Sequence, residues 1–122
     1  MFSERGAFVK RLISDGPLRR PWGLALAPSN FGPASGALLV GNNTSSGRVN
    51  AFEAHTGKFL GSLKDCAGKP LVIDQLWGLE FGHGGSMNGP QNHLFFTAGP
   101  NNYANGRLGV IEFVNCDDAG GK

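Results

Sequence analysis

The sequence predicts an all-β chain built from two copies of a small antiparallel meander, and three observations carry that expectation. The first is composition. Among 122 residues stand 20 glycines and 7 prolines, more than a helical chain tolerates when each interior glycine costs about 1 kcal/mol relative to alanine. Nine phenylalanines point the same way, since aromatics favour strands and Gly and Pro punctuate them. The second is a repeated phrase: "RPWGLALAP" (20–28) is answered by "LWGLEFG" (76–82), with Trp22 and Trp77 standing 55 residues apart. The third is that the echo continues beyond Trp. "GALLVGNN" (36–43) matches "NHLFFTAG" (92–99), "GRVNAFE" (47–53) matches "GRLGVIE" (106–112), and "FLGSL" (59–63) matches "FVKRL" (8–12). Repeats of this length are the mark of stacked architectures.

Each copy contains short apolar runs divided by Gly, Asn, Pro and Ser clusters, which is how sequential hairpins are written. In chain order, residues 8–13 read as a leading outer strand. Residues 22–28, 37–42, 48–53 and 58–63 form a complete four-stranded unit, and 77–82, 93–98 and 107–113 form a second unit without its outer strand. The corresponding segments are 2–16, the end of a preceding unit; 17–65, a full one; 66–114, the second; and 115–122, a flexible tail. On the inner strand Trp22, Leu24 and Leu26 alternate with Gly23, Ala25 and Ala27, so one face is bulky and the other small. Trp77, Leu79 and Phe81 alternate with Gly78, Glu80 and Gly82 in the same manner. Such sheets can stack, bulky face into small face, as radial blades do.

A net charge of +2, with Arg19 and Arg20 as its one tight cluster, argues against nucleic acid as a partner. No apolar run approaches the roughly 20 residues of a membrane span. The opening "MFSERGAFVK" lacks the order of a signal peptide, so the sequence gives no address. Cys66 and Cys116 have no close Cys or His neighbour in sequence and read as two free thiols.

These residues resemble the NHL repeat, whose blades run Pro-x-Gly-apolar, an apolar strand ending near Asp or Asn, then Asn-Arg-apolar and a closing Phe. More narrowly, the chain is similar to the C-terminal end of an uncharacterised bacterial family of NHL-like propellers in which PWGLA, DGLWGLxFG and LFFTAGP segments recur. The resemblance covers residues 2–114 and implies part of a six-bladed ring. Two blades alone leave faces and edges open, so the chain reads either as a truncated piece or as a self-assembling unit. In the second case the strand at 8–13 completes a neighbour, and three copies close the ring.

Meander topology puts the loops that enter inner strands (14–21, 64–76) at one end with the loops between second and third strands (42–47, 99–106). That end gathers Arg19, Arg20, Asn42, Asn43, Asp74, Gln75, Asn101, Asn102 and Tyr103, a polar set suited to a small molecule, a glycan, a peptide or a coordinated cation. Asn and Asp are also ordinary turn formers. Cys66 is expected at this end and Cys116 at the other, too far apart to bridge. His55, His83 and His93 fall at the opposite end without accompanying carboxylates. Glu80, on the small face of an inner strand, is the one acid placed near the channel, as a calcium ligand or a base. No cofactor is otherwise expected. The leading functional expectation is a non-catalytic binding or interaction module, and the rival, drawn from lactonase-like propellers, is a metal-dependent hydrolase.

Overall fold

The computed structural model describes residues 1–116, in which seven strands form two antiparallel sheets. The first sheet runs β1 (Pro21–Leu26), β2 (Leu38–Asn42), β3 (Val49–Phe52) and β4 (Phe59–Ser62), in that spatial order, with a short 3₁₀ turn at Gly32–Ala34 between β1 and β2. The second runs β5 (Leu76–Phe81), β6 (His93–Ala98) and β7 (Arg107–Glu112). Sequential order equals spatial order in both, as connections of hairpin type require. The three-strand count of the second sheet is as expected, and every strand lies within two residues of its predicted bounds.

The sheets stack face to face along their inner strands. Gly23 on β1 lies so close to β5 that a Cβ there would stand 2.5 Å from the Trp77 carbonyl oxygen and 2.9 Å from Leu79 Cγ. Gly41 on β2 takes the methyl groups of Leu76, a Cβ there falling 2.8 Å from Leu76 Cδ2. The bulky row of β5 therefore enters the small face of the first sheet. Leu76, Leu79 and Leu94 join Ala27, Phe31, Leu39, Val49 and Ala51 in one core, with Phe81 edge-on to Phe31 at 5.0 Å between ring centroids.

Both inner strands carry one extra residue at the W-G step. Pro21 pairs with Asn42 and Leu24 with Val40, while Leu76 pairs with Ala98 and Leu79 with Phe96, three residues against two in each case. A bulge of this kind turns the local side chains and raises the twist. It takes Trp22 and Trp77 out of strict alternation, so that the buried row of β5 is Leu76, Leu79 and Phe81. Among the described residues the same row on β1 is not covered by a sheet: Leu24 and Leu26 are 61 % and 62 % exposed, against 8 % for Leu79.

Two expectations fail. Residues 8–13 are not a strand. Phe8 makes an isolated bridge to Phe2 and the Val9 N–H donates to the Met1 carbonyl, closing a small hairpin whose continuation pairs with no sheet. A strand needs a neighbour to pair with, and this segment instead lies against the turn between β3 and β4, the Leu12 carbonyl meeting Gly57 and the Lys10 ammonium donating to the His55 carbonyl. Cys66 and Cys116 are not free thiols but a disulfide, with Cα atoms 5.5 Å apart. Residues 63–71 form a hairpin of their own, with Leu71 donating to Leu63 and Asp65 to Lys69. This hairpin and the return of the chain after β7 bring together two cysteines that strand counting placed at opposite ends. Cys116 is thus anchored, and the remainder of the expected tail, 117–122, lies outside the described residues.

Candidate functional site

The end of the sheets where the inner strands begin is shaped by left-handed backbone. Arg20 and Gln75 have φ of 49° and 53°, and each stands two residues before the tryptophan of its repeat. Their carbonyls serve equivalent partners, Arg20 accepting from the Asn43 N–H at 2.9 Å and Gln75 from the Gly99 N–H at 3.0 Å. Asn101, Asn102 and Tyr103 follow one another at φ of 57°, 56° and 68°. Left-handed conformation costs an L-residue roughly 1–2 kcal/mol, so a run of three persists only where other contacts hold it.

Those contacts are visible. The Tyr103 hydroxyl donates to Asn43 Oδ1 at 2.6 Å and lies 3.1 Å from Gln75 Oε1. Asn43 is buried, and its Nδ2 donates to the Leu76 carbonyl at 3.0 Å. The Asn101 N–H donates to Asp74 Oδ2 at 3.3 Å, and its side-chain amide to Asn105 Oδ1 at 2.7 Å. The predicted set therefore divides. Asn43, Gln75 and Tyr103 meet in one network, and Asp74 and Asn101 meet in another. Asn42 belongs with the N-terminal loop: its Oδ1 accepts from the Arg19 N–H and its Nδ2 donates to Pro17 O. The Arg19 guanidinium folds back on the carbonyls of Gly16 and Leu18. The Arg20 and Asn102 side chains are exposed and make no hydrogen bond among the described residues.

Most of these amides are thus committed to holding loops, which leaves the aromatic rings as the open chemistry. Trp22 and Trp77 meet edge to face with centroids 4.9 Å apart, and Trp77 meets Tyr103 at 5.5 Å. The three are 62 %, 40 % and 45 % exposed. Beside them a shallow hollow of about 380 Å³ is lined by Trp77, Thr97, Gly99, Tyr103 and Asn105. Sequence reasoning assigned both tryptophans to packing between blades and missed this row. The signal that could have found it is the pairing of each W-G with a polar residue two places earlier.

Glu80 is not in a buried carboxylate site. It lies exposed near the end of β5, its Oε2 2.8 Å from His83 Nε2. His55 and His93 also have carboxylate partners, Glu53 at 3.1 Å and Glu112 at 2.8 Å, which corrects the expectation of three unaccompanied histidines. Glu53 is held at about 2, well below the 4.5 of an ordinary glutamate, chiefly because the Thr56 N–H donates to it and then because the His55 side chain does. Among the described residues no group of three or more His, Cys, Asp or Glu converges as a metal site would require, so Glu80 has no co-ligands there.

Three uncharacterised proteins of Acanthamoeba polyphaga mimivirus are similar to this chain. One is 36 % identical over 111 residues, which is 91 % of the chain and 26 % of the relative. The others are 42 % and 40 % identical over 79 residues, 65 % of the chain and 21 % and 14 % of the relatives. The chain spans about a quarter or less of the length of these proteins. No family model and no solved structure matches it.

Proposed function

We propose that the two sheets are neighbouring blades of an NHL-like β-propeller, and that the chain is a non-catalytic binding module whose ligand lies at the Trp22–Trp77–Tyr103 end. The blade reading is supported by the stacking of β5 on β1, bulky row into small row, and by the complementary faces left open, the Leu24 and Leu26 row of the first sheet on one side and the small side of β5 on the other. The resemblance to NHL-like propellers implies a ligand at the end where the inner strands begin. The observation that carries the binding reading is the exposed aromatic row there. Flat rings on a chain that carries Arg20 two residues before Trp22 and Asn102 next to Tyr103, both without a side-chain hydrogen bond among the described residues, offer apolar contact with polar orientation, the usual composition of a recognition surface.

Glycans and extended peptides both fit that chemistry. Titration of the protein with a panel of oligosaccharides and one of peptides, followed by tryptophan fluorescence and amide shifts, tests the reading. Binding that perturbs Trp77 and Tyr103 and is lost in Trp77→Ala supports it. Saturable binding of panel members elsewhere on the molecule, or of none, overturns it. The hydrolase alternative has no observation behind it, because Glu80 is tied to His83 and exposed.

A further inference from the structure

The two sheets are built on one plan but end differently. In the first, β4 covers the outer edge of β3, with Asn50 opposite Ser62 and Ala51 opposite Gly61. In the second, β7 is the last strand, and its outer edge pairs with nothing among the described residues. Residues 109–111 of β7 occupy the repeat positions of 50–52, so the place of a fourth strand is defined. Along this edge a cleft of about 870 Å³ opens between β4 and β7, walled by Leu60, Leu63, Ile73, Phe96, Val110 and Ile111.

The chain also carries a segment whose sequence fits that place. Residues 8–12, FVKRL, match 59–63, FLGSL, which contain β4 and its continuation. Yet 8–13 belongs to no sheet, and Phe8 and Val9 are 65 % and 54 % exposed. The backbone N–H groups of Lys10, Arg11, Leu12 and Ile13 have no hydrogen-bond partner among the described residues. Among the described residues one chain thus holds both a vacant strand position on the second sheet and, outside either sheet, a strand-like segment whose backbone donors from Lys10 to Ile13 are unused.

We propose that the free edge of β7 accepts residues 8–13 of a second copy of this chain, by β-strand addition. This inference rests on reading the two sheets as equivalent repeats. Transferring the register of β3 and β4 puts Lys10 opposite Val110 and Arg11 opposite Gly109. Leu12 then takes the place that Leu63 has in the first sheet, where it packs on the core. Backbone hydrogen bonds supply the affinity in this mode and the alternate side chains the selectivity. Because donor and acceptor are different surfaces, the contact is head to tail, and such contacts close rings or run on as filaments.

Light scattering across a range of concentrations tests it on the whole chain, beside the variants Lys10→Pro and Val110→Pro, which each remove one backbone donor from the shared ladder. The expected result is concentration-dependent association that falls at least tenfold in each variant, with unchanged circular dichroism. Mixing Arg11→Cys with Gly109→Cys protein is expected to give a crosslink between copies. A wild-type chain that remains monomeric at millimolar concentration overturns the proposal, as does association undiminished in both proline variants. A third variant, Leu24→Lys, reads the sheet face instead of the edge. Association lost in Leu24→Lys but kept in the proline variants means that copies stack through faces, which sinks strand addition while leaving the blade reading intact.

Discussion

The indole rings of Trp22 and Trp77 touch edge to face, 4.9 Å between centroids, although 55 residues of chain separate them. Each occupies the bulge of its own inner strand, so the contact is one between equivalent positions on neighbouring sheets. It follows from stacking two copies of one unit, and the consequences of that stacking can be measured.

Leu79 and Leu24 are equivalent in sequence but not in burial. Leu79→Ala removes a side chain from the core shared by both sheets and is expected to cost about 2–4 kcal/mol, whereas Leu24→Ala, on the open face, should cost less than about 1 kcal/mol. Urea unfolding of the two variants gives the comparison directly. Equal losses would mean that the sheets do not stack as described.

Gly23 admits β5 at contact distance. Gly23→Val places two methyl groups against the Trp77 carbonyl and Leu79, and overpacking of this kind costs about 1–3 kcal/mol. The midpoint of urea unfolding is expected to fall, and Trp fluorescence to shift as the Trp22–Trp77 contact loosens. Gly36→Ala, in a turn with no atoms nearby but a φ of 75°, separates the effect of contact from that of backbone strain.

The Tyr103 hydroxyl is the pin of the 99–106 loop. Tyr103→Phe leaves the buried Asn43 Oδ1 without its phenolic donor, and an orphaned buried acceptor costs about 1–3 kcal/mol. Amide exchange in residues 99–106 should accelerate while the sheets remain protected. That readout separates a local pin from a global loss of stability.

Cys66 and Cys116 close a long loop, and a bridge of that kind typically contributes about 2–4 kcal/mol. Double substitution with serine is expected to lower the midpoint of thermal unfolding, and a reducing agent should lower it in the wild type but not in the variant. Identical melting with and without reductant would show that the pair is not bridged.

Glu53 shapes the β3–β4 turn by accepting from the Thr56 and His55 N–H groups at 2.6 and 2.8 Å. A carboxyl depressed to about 2 in the folded chain, from 4.5, stabilises the turn fully above the unfolded value and loses that contribution as pH falls from 4.5 toward 2. Carboxyl NMR titration of Glu53 should show its midpoint near the folded value of about 2 and not at 4.5.

How far the sequence spoke differs from residue to residue. The repeat of W-G-L, the alternation of large and small residues on β1, and the three strands of the second sheet were all legible, because period-two patterning is a local property. The bulges were not. W-G-L reads as plain alternation, and only pairing reveals that three residues oppose two. The bridge between Cys66 and Cys116 was hidden for a related reason, since its hairpin at 63–71 departs from the simple meander that the other segments obey. At the polar end, sequence could not tell that Asn42 and Asn43 spend their amides on Pro17, Leu76 and Tyr103. Which amides are committed is decided by distances that no spacing encodes.

The disulfide has one more effect, which concerns covalent topology. The stretch from Cys66 to Cys116 contains the whole of β5, β6 and β7, so the second sheet lies inside a covalent ring. A protease that nicks any loop between them leaves the two new ends tethered, and the sheet stays attached to the remainder. Only a cut between β4 and Cys66 severs the covalent link between the two sheets, which then hold together through their shared core alone.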